Sequence, residues 1–142
     1  MIKKPTDTLL NALMASDTLE NYFKSNEAYL IDCTLPEHLN ALLEKKELTK
    51  AAVIKNAELN EIYGYQIFSG KRKPSRDKLV MLCIGMALGL EETQQVLKLA
   101  GYAFLYSKKH RDCTLIYGLQ HGLSIYEINR NFYMTAIEET LN

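Results

Sequence analysis

The chain has 142 residues, of which 47% are hydrophobic and 24% charged, and its 17 Lys+Arg offset its 17 Asp+Glu to a net charge of zero. These values describe a globular chain long enough to bury a core and exclude an intrinsically disordered one. Neutrality also argues against a partner held by bulk charge alone, nucleic acid included, although the balance is uneven: residues 1–48 hold 5 Lys+Arg against 8 Asp+Glu, and residues 49–142 hold 12 against 9.

From the N-terminus the chain reads as helix after helix, with no sustained strand alternation and no hairpin signal. Leu9, Leu10, Leu13 and Met14 make one short apolar stripe, and Leu19, Tyr22 and Phe23 another. Residues 1–33 are therefore expected to form an acidic helical arm that packs on the core or on a second subunit. Thr34-Leu35-Pro36-Glu37 has the spacing of a capping box, and the helix it opens carries Leu39, Leu42 and Leu43 on one face.

Residues 49–76, TKAAVIKNAELNEIYGYQIFSGKRKPSR, predict two short helices joined by a tight turn. Thr49 is the N-cap of the first, which buries Val53, Ile54 and Ala57; the second begins at Asn60 and buries Ile67 and Phe68. Only Glu58 and Leu59 lie between, too few for anything but a sharp bend. Left-handed geometry in that bend falls to Glu58, Leu59 or Asn60, of which Asn60 tolerates it best. Gly64 inside the second helix costs about 1 kcal/mol relative to alanine, which a close approach of a neighbouring segment would explain. Ser69-Gly70 stops the helix, and Lys71, Arg72, Lys73 and Arg76 then surround Pro74.

Ser75 caps the next helix, in which Leu79, Leu82, Cys83 and Met86 repeat at threes and fours and Asp77 sits in the favourable first turn. Gly89 ends it. Glu91 and Glu92 open another, with Val96, Leu97 and Ala100 inward and Gly101 as the stop. An aromatic connector, Tyr102 to Tyr106, leads to a helix expected over 107–121 with Leu115, Ile116 and Leu119, closed by Gly122. Ser124-Ile125-Tyr126-Glu127 is a second capping box, and Ile125, Ile128, Phe132, Tyr133, Ala136 and Ile137 trace a stripe along the last helix. That stripe covers either this subunit's core or a dimer interface.

On these residues the segment 35–100 resembles the helix-turn-helix domain of the Xre/lambda-repressor-like family, whose fourth helix typically follows a Gly-Lys-basic-x-Pro-Ser loop, here Gly70 to Ser75. The stretches YGYQIFSGKRKPSRDKL, LKLAGYAFLY and IYEINRNFY are similar to a less characterised group of bacterial proteins that carry this domain with a longer helical tail. The resemblance implies an all-α fold: a five-helix lambda-repressor-like domain over 34–101, an N-terminal helical arm over 1–33 and a C-terminal helical extension over 102–142. It also implies double-stranded DNA as partner and a homodimer as the binding form. Family members read bases from the first turns of the second helix, which here presents Asn60, Glu61, Ile62, Tyr65 and Gln66. Gln66 suits bidentate recognition of adenine, Ile62 can meet a thymine methyl, and Glu61 can accept from cytosine N4 while repelling phosphate. Lys50, Lys71, Arg72, Lys73, Ser75 and Arg76 would grip the backbone.

Other chemistry finds little in the sequence. His38, His110 and His121 lack metal-ligand spacing and read as surface or satisfied histidines, and no phosphate loop or nucleophile elbow is present, so neither an enzyme nor a cofactor is expected. Cys33, Cys83 and Cys113 are odd in number and unpaired in spacing, consistent with buried reduced thiols in a cytoplasmic protein. No apolar run approaches the roughly 20 residues that span a bilayer. Tyr63, Tyr65, Tyr102, Tyr106 and Tyr117 could serve as stacking platforms for a single strand, but core packing with the hydroxyl at the rim is the better account except for Tyr65. Lys108-Lys109-His110-Arg111 either adds phosphate contacts or is simply a helix-start surface, since Asp112 follows at once. The alternative to a DNA-binding regulator is a helical module that keeps the repressor-like fold and binds a protein partner through its C-terminal helices.

Overall fold

Backbone N–H groups at helix starts need acceptors, and in this chain short polar side chains supply them. Thr34, Thr49, Asn60, Ser75 and Ser124 each accept from the backbone N–H three residues on, and Ser124 and Glu127 complete a reciprocal capping box. The structure is a computed structural model that describes residues 6–26, 33–135 and 140–142. All regular elements among these residues are α-helices, and none is long and apolar enough to cross a membrane.

The chain divides into two units, Met1–Asp32 and Cys33–Asn142. In the first, α1 (Thr6–Ala15) and α2 (Leu19–Asn26) make a short helical pair, with Thr18 accepting from the Asn21 N–H. Tyr22 is buried, whereas Leu10, Met14, Leu19 and Phe23 are exposed.

The second unit contains α3 (Leu35–Lys45), α4 (Lys50–Asn56), α5 (Glu61–Ser69), α6 (Arg76–Gly85), α7 (Leu90–Leu99), α8 (His110–Gln120) and α9 (Ile125–Met134). Helix α6 is its axis: Leu79 to Gly85 are all buried, so this helix is apolar all round rather than amphipathic. Around it pack α4, α7 and α9, while α3 lies against α5 and α7 and α8 against α7 and α9. Leu39, Val53, Ile54, Ile67, Phe68, Leu97, Leu115, Ile125, Ile128 and Phe132 complete one continuous core. The last helix thus seats its stripe on its own subunit as far as Phe132; Tyr133 points outward, and Ala136 and Ile137 lie outside the described residues.

One joint recurs. After α3, α4, α6, α7 and α8 a single residue adopts positive φ, namely Glu47, Glu58, Ala87, Gly101 and Gly122, and the following Leu48, Leu59, Leu88, Tyr102 and Leu123 donate their N–H to a carbonyl five residues back. These are Schellman closures, which satisfy the last carbonyls of a helix and fold an apolar side chain onto it. The bend after α4 therefore uses Glu58 (φ 54°), not Asn60, whose side chain is occupied in capping α5. Left-handed geometry costs an L-residue about 1–2 kcal/mol, so Glu58→Gly is expected to stabilise the unit by roughly 1 kcal/mol in denaturant titration. No gain in midpoint would contradict this account of the turn.

Glycines set the helix approaches. A Cβ on Gly64 would stand 2.6 Å from Ile54 Cγ1, so the glycine lets α5 close on α4; a Cβ on Gly85 would stand 2.6 Å from the Val53 carbonyl oxygen, which brings α6 against the α4 backbone. Helix α8 begins at His110 rather than near Ser107, because residues 107–109 form a turn closed by the Lys109 N–H on the Tyr106 carbonyl at 3.0 Å. The cysteines correct the expectation of three buried thiols: Cys83 is buried and its thiol is pushed up to about 12 by burial, Cys33 is half-buried and Cys113 is exposed.

Candidate nucleic-acid interface

The turn at Glu58 and the Asn60 cap aim α5 so that Ile67, Phe68 and Gly64 face inward and Glu61, Ile62 and Tyr65 face solvent. Ile62 is 70% exposed and Tyr65 40%. Asn40, on α3, fixes the other end of α5 by donating to the Phe68 carbonyl at 3.0 Å and to its own helix at the Pro36 carbonyl at 2.8 Å. An open groove runs along the outward face, lined by Lys50, Glu61, Ile62, Tyr65, Gln66, Ser69 and Lys71. Lys50 comes from the first turn of α4 and Lys71 from the loop after α5, so cations from separate segments flank one exposed helix face.

The loop from Gly70 to Ser75 is held in place. Gly70 takes the left-handed conformation (φ 83°), and the Arg72 N–H donates to the Gln66 carbonyl at 3.3 Å. Pro74 is buried and its carbonyl accepts from the Tyr102 hydroxyl at 2.5 Å, while Lys73 lies 5.1 Å from the centre of the Tyr102 ring. Lys71, Arg72 and Lys73 remain exposed. Ser75 is exposed and its hydroxyl oxygen accepts from the Lys78 N–H, as a helix cap does.

Arg76 is placed elsewhere, contrary to its expected role on phosphate. Its guanidinium donates to the Ala103 carbonyl (3.0 Å), the Phe104 carbonyl (3.1 Å) and both oxygens of Asp112 (3.2 and 3.1 Å). The neighbouring Asp77 accepts both terminal nitrogens of Arg111 at 2.8 Å. Two Arg-Asp dipeptides, Arg76-Asp77 and Arg111-Asp112, thus pair crosswise and lock the first turn of α6 to the first turn of α8. Asp112 is buried and also accepts from the Tyr106 N–H at 3.0 Å. Burial lifts its carboxyl, but the Arg76 donors, the Tyr106 N–H and the charges of Arg76 and Lys109 outweigh this and hold it below the ordinary carboxylate range. The repeated dipeptide at two helix starts was the available sequence signal for this lock. It also takes Arg111 out of the Lys108–Arg111 cluster as a phosphate ligand.

Carboxamides fasten the extension as well, one pair joining it to α7 and the other lying within it. Gln94 exchanges both hydrogen bonds with the backbone of Leu105, at 2.9 and 2.7 Å, and Asn129 does the same with Leu141, at 3.0 and 2.8 Å. Among the tyrosines, Tyr63 and Tyr102 are half-buried as expected, but Tyr106 and Tyr117 are exposed, the latter with its ring 4.2 Å from that of His121. No protein-family model, curated protein or solved structure matches the chain.

Proposed function

We propose that this chain is a sequence-specific DNA-binding transcriptional regulator of the Xre/lambda-repressor-like helix-turn-helix type, acting as a homodimer with α5 in the major groove. The observation that carries the reading is the exposed face of α5 flanked by Lys50 and Lys71. The α4–turn–α5 pair has the short, capped geometry that presents a second helix to a groove, and cations beside such a helix suit the flanking phosphates. Glu61, Ile62, Tyr65 and Gln66 supply base contacts. Lys50, Lys71 and Lys73 hold phosphates, helped by the Ser75 hydroxyl and the amides at the α6 N-terminus. Among the described residues, α8 and α9 pack on α6, α7 and each other, and Ile62 stays exposed.

Three phosphates neutralised per subunit give a slope of roughly −2.7 for the logarithm of affinity against the logarithm of salt. Changing Lys50, Lys71 and Lys73 together to alanine is expected to bring the slope per subunit close to zero, measured on duplexes selected from a random pool. An unchanged slope with unchanged affinity would refute the assignment.

The second reading, a protein-binding module, is favoured by one feature, the exposed Ile62 and Tyr65 beside Glu61. Lys50 and Lys71 line the same groove as that apolar patch, which suits phosphate better than a ring of acids would.

A further inference from the structure

The family resemblance places Gln66 on the reading helix, where a glutamine suits adenine, its carbonyl oxygen accepting from the N6 amino group and its amide donating to N7. In the folded chain that oxygen is engaged: Gln66 Oε1 accepts from Arg72 Nε at 3.0 Å. Arg72 is fixed in two further ways, through its backbone N–H on the Gln66 carbonyl and through its guanidinium lying 5.5 Å from the centre of the Tyr63 ring. With Nε committed, the two terminal nitrogens of Arg72 form the remaining edge, a parallel pair of donors. The Gln66 amide nitrogen stands beside it and also donates. Such a surface offers chiefly hydrogens, and its remaining acceptor is the second lone pair of Gln66 Oε1, which lies beside the guanidinium charge.

From this geometry, and resting on the DNA-binding reading above, we infer that Gln66 and Arg72 act as one unit that selects guanine over adenine. Guanine presents two acceptors, O6 and N7, to the major groove, which match a donor pair; adenine presents an acceptor and an amino group, and the amino group meets another donor. Arg72 is thereby a base-reading residue, and Gln66 positions it by fixing Nε while contributing its own amide to the same edge. A phosphate oxygen also accepts only, so the two targets share their chemistry and have to be separated by experiment. Gln66 lines the same groove as Ile62 and Tyr65, and its bond to Nε holds Arg72, which does not itself line the groove, at the edge of that face, which favours the base.

The test uses the full chain and selects bound duplexes from a random pool, in parallel for the native protein, Arg72→Lys and Gln66→Ala. Lysine keeps the charge but has neither the Nε donor nor the fork. If the unit reads guanine, the native protein selects a guanine at one position of each half-site. Arg72→Lys lowers that preference about tenfold or more and shifts it towards adenine, because the released Gln66 regains its own pairing. Other positions and the salt slope stay unchanged. Gln66→Ala loosens the same position only. If Arg72 holds phosphate instead, Arg72→Lys keeps every base preference, and the inference is overturned while the DNA-binding reading survives. A native chain that enriches no sequence overturns both.

Discussion

Asp112→Ala is expected to destabilise the Cys33–Asn142 unit by about 3–5 kcal/mol, because it leaves Arg76 with a charge among backbone carbonyls and no counter-ion. Asp112 is 3% exposed and joins α8 to α6 and to the connector through Arg76 and the Tyr106 N–H. Its mirror-image partner provides the control. The Asp77 side chain is 42% exposed, so water screens its pair with Arg111 and reaches the site once the carboxylate is gone, and Asp77→Ala should cost clearly less than Asp112→Ala. The double variant Arg76→Ala/Asp112→Ala should be less damaged than the sum of the two single ones, since neither charge is then left unpaired. Equal losses for Asp112→Ala and Asp77→Ala in denaturant unfolding would sink the proposal that burial separates the two pairs.

The same lock predicts a pH dependence. A carboxyl held below its unfolded value of about 3.9 stabilises the fold above that pH, and the contribution disappears as pH falls through the folded value. The stability gap between the native chain and Asp112→Ala should therefore be full at neutrality and shrink below about pH 4. A gap that widens towards acid would show that the carboxyl is not held low.

Gly85→Ala carries the other large effect, about 3 kcal/mol of destabilisation or failure to fold. Alanine gains roughly 1 kcal/mol of helix propensity over glycine, but here its Cβ would meet the Val53 carbonyl oxygen at 2.6 Å and the Ala57 N at 2.8 Å. Those are backbone atoms, so no trimmed side chain relieves the clash and α6 has to move off α4. Gly64→Ala meets only the side chain of Ile54, and Ile54→Ala should restore part of its stability. Thermal unfolding of the two single variants and the Gly64→Ala/Ile54→Ala pair decides the matter. A Gly85→Ala protein as stable as the native chain would disprove the backbone contact.

The sequence was most legible where a signal and its effect lie within one turn. Thr34, Thr49, Asn60, Ser75 and Ser124 announce the helix starts because the group they satisfy is three residues away. The apolar faces were equally readable, since Val53, Ile54, Ile67 and Phe68 repeat at helical spacing and all are buried. Glu58 ranks below Asn60 among the three candidates for the bend because glutamate has no preference for positive φ; the closure of α4 and the burial of Leu59 impose it. Arg76 was misjudged for a different reason: in sequence it is the fourth cation of a basic loop, and the carboxylate that claims it lies 36 residues further on. The Gln66–Arg72 bond spans only 6 residues, yet it depends on Gly70 turning the chain back over the helix end, a direction that residue types alone do not specify.

The crosswise Arg-Asp lock changes what counts as the smallest transferable piece of this molecule. A fragment cut at Gly101 would keep α3 to α7 and yet strip Arg76 of four acceptors, Pro74 of its tyrosine and Asp77 of its arginine. Anyone grafting the α5 surface onto another scaffold would have to carry residues 102–112 along with it.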